Sequence, residues 1–289
     1  SYLLLFGELP TSAQLKEFTS KVTQYRDLPE ELVLILKALP KHTRPMDVLQ
    51  MAVSSLGTFY DLEVSPEKVK GKKYDEKYFL NISAALIGAL GSIVAAWHRI
   101  RNGDEPISSK PDCTYAENFL HILGAEKITP LMTRIMDATL VLHGEHTINA
   151  STFTAMVTSS TLANASQVVA SAIGSLSGPL HGGANEKVIA MLQKIESKDE
   201  IRPWLDETLK AKNVVWGMGH REYSVKDPRA NILTDMVQEL FEEREGGVTD
   251  IFDKAIELEK ACEEKLSHKG VYPNVDFYSG ILYKEMDIP

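Results

Sequence analysis

Apolar residues recur at intervals of three and four along nearly all of this 289-residue chain, and they alternate almost nowhere. The first period belongs to helices with one buried face, the second to half-buried strands. The chain is therefore expected to be mostly α. Helix-start signals agree. Pro10-Thr11 leads into Leu15 and Phe18, and Thr129 stands as a cap before Pro130, followed by Leu131, Met132, Ile135 and Met136. Asp227 before Pro228 repeats the signal ahead of Ile232, Leu233, Met236, Val237 and Leu240. Proline suits the first helical position, where its missing N–H is not needed. Asn185 is a further candidate cap, for a helix carrying Val188, Ile189 and Leu192, and residues 251–266 form another amphipathic stretch.

A chain of this length can bury a large core and has room for two domains. With 44% hydrophobic and 25% charged residues, it reads as an ordered globular protein rather than a disordered one. A net charge of -9 speaks against nonspecific binding to nucleic acid or to an anionic membrane. Cys113 and Cys262 lie far apart without metal-ligand spacing and read as two reduced thiols of a cytoplasmic protein. The apolar run 84–97, interrupted by Gly88, Gly91 and Ser92, has the length of a core helix rather than a membrane span. Residues 155–177, rich in Ala, Ser and Thr, would let helices approach closely, in a core or across a subunit interface. Residues 67–77 and 242–247 read as charged, exposed loops, the second with a Gly-Gly turn. The opening Ser1-Tyr2-Leu3-Leu4-Leu5-Phe6 resembles the middle of a buried helix, and 284–289 a helix-to-loop exit, so segments are expected beyond both ends.

Glycines cluster at 178, 182 and 183, and again at 217 and 219, around a segment with its own helical stripe. This spacing suggests a larger helical domain over 1–182, a smaller inserted one over 183–275, and a return to the larger over 276–289. The glycine loops would then fall near domain junctions, a common place for a small-molecule site.

Three segments carry the chemistry-bearing side chains. They are Gly178-Pro179-Leu180-His181-Gly182-Gly183-Ala184-Asn185, then Gly217-Met218-Gly219-His220 running on to Asp227-Pro228-Arg229, and Asn274-Val275-Asp276-Phe277. Two histidines, an arginine and an aspartate are the inventory for carbon–carbon bond formation through an enol. A carboxylate removes a proton from carbon, one histidine steadies the enolate, and the other donates to the electrophile. An arginine grips an anionic substrate.

Each segment also has a plainer reading. His181 precedes an expected helix start, whose dipole favours a neutral imidazole donor, but a glycine turn with a buried histidine fits equally. Gly217-Met218-Gly219 follows Val214-Val215-Trp216 and would wrap a nucleotide or pantetheine group, or simply turn the chain. Asp227 and Pro228 would fix Arg229 at a helix start, where N–H groups and guanidinium both suit a carboxylate; a surface salt bridge is the alternative. Asp276, between apolar neighbours, would be partly desolvated and more basic, or would cap a helix. His143 and His146 lack a third ligand or a zinc pattern. His146 is therefore read as a donor to a substrate oxygen, and His143 as structural.

At these residues the chain resembles the citrate synthase family in its compact bacterial and archaeal form. The likeness runs from Phe6-Gly7-Glu8-Leu9-Pro10-Thr11 to Asn274-Val275-Asp276-Phe277-Tyr278-Ser279-Gly280. It is most specific at Gly217-Met218-Gly219-His220-Arg221-Glu222-Tyr223 with Asp227-Pro228-Arg229, where only Glu222 departs from the usual apolar residue. The resemblance implies a nearly all-helical two-domain fold and a homodimer. It also implies a transferase of the tricarboxylic acid cycle, condensing acetyl-CoA with oxaloacetate and water to citrate and CoA. By the same resemblance His181 holds the enolate and Asp276 is the base. His220 donates to the oxaloacetate carbonyl and later helps hydrolyse citryl-CoA. His146 and Arg229 would bind oxaloacetate, while Val215, Gly217, Met218, Gly219 and Asn274 fall where the family contacts CoA, largely through backbone. No metal or redox cofactor is implied, acetyl-CoA being a substrate. The family carries two further substrate-binding arginines in a C-terminal segment that this chain is expected to lack, together with an N-terminal one.

The nearest rival is 2-methylcitrate synthase, with the same residues and propionyl-CoA as donor; one methylene changes binding by only ~1–3 kcal/mol. Citryl-CoA lyase shares the glycine–histidine loop but lacks the histidine of Leu180-His181-Gly182 and the Asp227-Pro228-Arg229 signature. A non-catalytic helical homologue is expected to have lost His181, His220 or Asp276, and all three are present.

Overall fold

A computed structural model describes residues 1–63, 76–243 and 248–288. Of the two expected charged loops, 67–75 and 244–247 lie outside the described residues, while Glu76 and Lys77 open one helix and Glu242 and Glu243 end another. Among the described residues, fourteen α-helices follow in chain order. They are α1 (Tyr2–Phe6), α2 (Ser12–Gln24), α3 (Glu30–Ala38), α4 (Pro45–Ser55), α5 (Glu76–Arg101), α6 (Tyr115–Leu123) and α7 (Pro130–Leu142). After them come α8 (Ala150–Ser159), α9 (Ala165–Leu176), α10 (Ala184–Lys194), α11 (Ile201–Lys210), α12 (Pro228–Glu243), α13 (Asp250–Leu266) and α14 (Val275–Glu285). Among the described residues there is no strand, only an isolated antiparallel bridge between Met218 and Pro273. The mostly α expectation holds.

Several starts follow the sequence signals. Thr11 makes a full capping box with Gln14 at the head of α2. Thr129 accepts from the Met132 N–H at 3.1 Å, with Pro130 opening α7. Asn185 behaves otherwise. The cap of α10 is Gly183, in the left-handed region at φ 81°, and Asn185 lies inside the first turn, accepting from the Glu186 N–H at 2.9 Å.

The contacts divide the chain into two compact units, Ser1–Ile128 with His143–Gly182, and Thr129–Leu142 with Gly183–Pro289. In the first unit α5 is the core helix. It is long and apolar enough to cross a membrane by length and composition, yet over half of it is buried against other helices. Ile82, Ala85, Ala89, Ile93, Ala96 and Ile100 form its buried stripe at helical spacing, against Leu32 and Leu36 of α3, Val48 and Ala52 of α4, and Ala170 and Ile173 of α9. Gly88 explains one interruption of the apolar run: a Cβ there would lie 2.5 Å from the Val22 carbonyl oxygen, so α2 crosses α5 at backbone contact. The small-residue stretch forms α8 and α9, which pack together with Thr158 Oγ1 and Ser171 Oγ 2.9 Å apart. The opening segment is a five-residue helix with Leu3 and Leu4 exposed, rather than a buried one.

The second unit differs from the expected 183–275 in two respects. Helix α7 belongs to it, packing on α12 with an ion pair between Arg134 and Glu239. Helix α14 also stays in it, between α10 and α12. The reason for the second lies in the side chains. Phe277, Tyr278, Ser279, Gly280, Ile281 and Leu282 are consecutive and all fully buried, so α14 is covered all round by its own unit.

Candidate active site

His181 and His146 belong to the first unit; His220, Arg229 and Asp276 belong to the second. Each group is built by local hydrogen bonding that fixes which nitrogen or oxygen remains available.

In the first unit, Asn149 caps α8 by accepting from the Thr152 N–H at 2.9 Å, which leaves the Ser151 N–H pointing out of the helix start. His181 Nε2 takes it, at 3.2 Å, with the Ser151 hydroxyl 2.9 Å away. A ring nitrogen that accepts from a backbone N–H carries no proton. The hydrogen of a neutral His181 is therefore on Nδ1, ready to donate. The sequence reading sets His181 against the helix that follows it; the structure places the imidazole instead at the start of α8, about thirty residues earlier in the chain. His146 is half-buried just before α8. The next residue, Thr147, has φ 58°, a conformation that a β-branched residue adopts only when its surroundings enforce it.

In the second unit, the glycine loop and the Asp276 loop are stitched together. The Gly219 N–H donates to the Tyr272 carbonyl at 2.7 Å, and the Asn274 N–H donates to the Gly217 carbonyl at 2.9 Å. The Asn274 side chain adds a bond to the Gly219 carbonyl at 2.8 Å. Gly217 sits at φ 79°, and a Cβ on it would meet Phe277 and Val188 side-chain carbons at 2.8 Å. Only glycine satisfies both conditions. Val215 is buried beneath the turn and accepts from the Met218 N–H at 3.3 Å.

His220 Nδ1 accepts from the Glu222 N–H at 3.0 Å, so a neutral His220 carries its hydrogen on Nε2. The backbone N–H of Glu222, not its side chain, makes this bond. Asp276 is half-buried in the first turn of α14, between the buried Val275 and Phe277. The cap of that helix is Asn274, whose Oδ1 accepts from the Asp276 N–H at 3.0 Å. The carboxylate of Asp276 is thus not the helix cap.

Arg229 occupies the second position of α12. Asp227, buried and side-on to it, accepts from the Arg229 N–H at 2.9 Å and Nε at 3.1 Å through Oδ1, and from Nη2 at 2.8 Å through Oδ2. The salt bridge considered for Arg229 therefore exists, but it is buried and local rather than on the surface. Burial alone would push the Asp227 carboxyl up; the hydrogen bonds and charge of Arg229 outweigh it and hold the group below the usual carboxylate range. Sequence reasoning missed Ser151 under His181, and it read Asp227 as setting the place of Arg229 in the helix rather than as the ion-pair partner of its guanidinium. The Asp-Pro-Arg run signals the second; nothing local signals the first.

Comparison with known proteins finds likeness over the entire chain. A family model described as "Citrate synthase, C-terminal domain" matches residues 1–289. The citrate synthase of Synechocystis is 43% identical over 289 residues, which are 100% of this chain and 70% of that protein. The 2-methylcitrate synthase of Shewanella oneidensis is 35% identical over 291 residues, covering 100% and 73%. Among solved structures, a ternary complex of citrate synthase from Thermoplasma acidophilum with carboxymethyl coenzyme A and oxaloacetate superposes with a TM-score of 0.87 at 27% identity, covering 100% of this chain and 73% of that one. A family model matched from the first residue to the last, together with a relative 43% identical along the whole chain, places this chain in the citrate synthase family.

Proposed function

We propose that the chain condenses acetyl-CoA with oxaloacetate and water to give citrate and CoA, with Asp276 as the base and His181 and His220 as donors. Asp276 takes a proton from the thioester methyl group. The enolate oxygen is held by His181 Nδ1–H, and the methyl carbon bonds to the keto carbon of oxaloacetate. His220 Nε2–H supplies the proton to the keto oxygen as it becomes a hydroxyl. Water then cleaves the citryl thioester, releasing CoA as the thiol. His146 and Arg229 bind the carboxylates and carbonyl of oxaloacetate. Val215, Gly217, Met218, Gly219 and Asn274 line the CoA path, and no further cofactor takes part.

The observation that carries this reading is the hydrogen bonding of the two histidines. Each accepts a backbone N–H on one ring nitrogen and so keeps the other as a donor. A homodimer is supported by α8, which buries none of its residues and exposes Phe153, Met156 and Val157 at helical spacing. The likeness to a 2-methylcitrate synthase keeps propionyl-CoA as the second reading. Steady-state assays of the full chain with both thioesters, alongside Asp276→Asn, test all of this. The wild type should prefer acetyl-CoA, and Asp276→Asn should lose at least ~10²–10⁴ in kcat while remaining folded. Near-normal turnover by that variant would remove Asp276 from the role of base, and a preference for propionyl-CoA would favour the second reading.

A further inference from the structure

A buried polar network lies behind the residues just assigned, and the proposed mechanism makes no use of it. Glu259 on α13 is only 15% exposed at its side chain, and both of its oxygens are engaged. Oε1 is 2.5 Å from Lys226 Nζ, and Oε2 accepts from the Tyr278 hydroxyl. Lys226 Nζ also stands 5.6 Å from the centre of the Tyr278 ring. Tyr278 is itself fully buried, and Thr234 of α12 reaches the same hydroxyl. Burial and the Glu259 charge push the Tyr278 phenol up, so it stays a donor.

The placement of the two partners gives the network its meaning. Lys226 immediately precedes Asp227, which holds Arg229. Tyr278 lies two residues after Asp276, in the same first turn of α14. One carboxylate on a third helix thus ties the arginine turn to the turn that carries the base. Ion pairs of Arg202 with Glu257 and Glu264, and of Lys265 with Asp206, already fasten α13 to α11.

We propose that Glu259 is a positioning residue: through Lys226 and Tyr278 it fixes Arg229 and Asp276 relative to each other. This rests on the roles given above to Arg229 and Asp276. A displacement of about 1 Å between reacting groups is enough to lower a rate on the order of 10²-fold. Loosening this link therefore shows in catalysis before it shows in folding.

The test compares Glu259→Leu, Glu259→Gln, Lys226→Met and Tyr278→Phe in the full chain, by steady-state kinetics and thermal unfolding, with Asp276→Asn as reference. Glu259→Leu should lower kcat by ~10-fold or more and raise the KM for oxaloacetate several-fold more than that for acetyl-CoA, measured per folded molecule. Glu259→Gln, which still accepts from Tyr278, should recover part of kcat. Glu259→Leu with Tyr278→Phe should be little worse than Glu259→Leu alone, as expected for residues acting as one unit. Wild-type constants in Glu259→Leu, or a loss of activity that matches the loss of folded protein, would overturn the proposal. If Glu259→Leu does not fold, Lys226→Met and Tyr278→Phe decide it: unchanged kcat and KM in both would overturn it. The reference separates this from the reading beneath it. An inactive Asp276→Asn beside a normal Glu259→Leu defeats the network alone, whereas an active Asp276→Asn defeats the assignment of the base.

Discussion

Asp227 grips Arg229, two residues further along the chain, with both of its carboxylate oxygens from a fully buried position. The guanidinium is therefore oriented before any substrate arrives, and less entropy is lost when an anion binds. Arg229→Leu should raise the KM for oxaloacetate by ~10-fold or more and affect that for acetyl-CoA much less. Steady-state kinetics with each substrate varied in turn would check this, and equal effects on both would mark Arg229 as purely structural.

The same pair makes stability depend on pH in one direction. The Asp227 carboxyl is held below its ordinary value in the folded state, so its ionised form favours folding. That contribution is complete above the unfolded value, near about 4, and is lost as pH falls through the lower folded value. Asp227→Asn lacks it. The gap in urea midpoint between wild type and Asp227→Asn should be widest above about pH 5 and close as the solution is acidified below about pH 4. A gap that stays constant would show that the ionisation is not coupled to folding.

Gly217→Ala tests the packing under the glycine loop. The substitution places a Cβ at φ 79° and 2.8 Å from carbons of Phe277 and Val188, neither of which has room to retreat in the core. It should cost about 1–3 kcal/mol in urea unfolding, the usual range for overpacking.

Cys262 should be silent toward thiol reagents. Burial, and secondarily the charge of Glu259, push its thiol up to about 12, and it is 1% exposed. At neutral pH almost no thiolate exists, and the thiolate is the reactive species. Titration of the native protein with a chromogenic disulfide should leave Cys262 unmodified until denaturant is added; rapid labelling at pH 7, located by peptide mass, would contradict this.

How far the sequence could be read follows from the range over which each interaction acts. Thr11, Thr129 and Asp227 announce helix starts because a cap and its target lie within three residues. Gly183 displaced Asn185 as a cap because its left-handed backbone leaves no trace in a pattern of side chains. The place of α7 with α12, and of α14 between α10 and α12, depends on faces that meet only after folding. His181 illustrates both sides. Its presence in a glycine turn was legible, but the N–H that fixes its tautomer comes from Ser151, and no local spacing connects the two. Glu259 gave no signal at all, since an acidic residue on an amphipathic helix normally reads as a solvated one.

The bonds that join Gly217 and Gly219 to Tyr272 and Asn274 also bear on how the second unit comes apart. Two loops that satisfy each other's backbone groups cannot open singly without stranding donors and acceptors. His220 and Asp276 should therefore become protected from hydrogen exchange together, as members of one cooperative opening unit. A chain that retained one of these loops in native form while the other was open would be a rare species, so intermediate levels of activity are not expected along the unfolding transition.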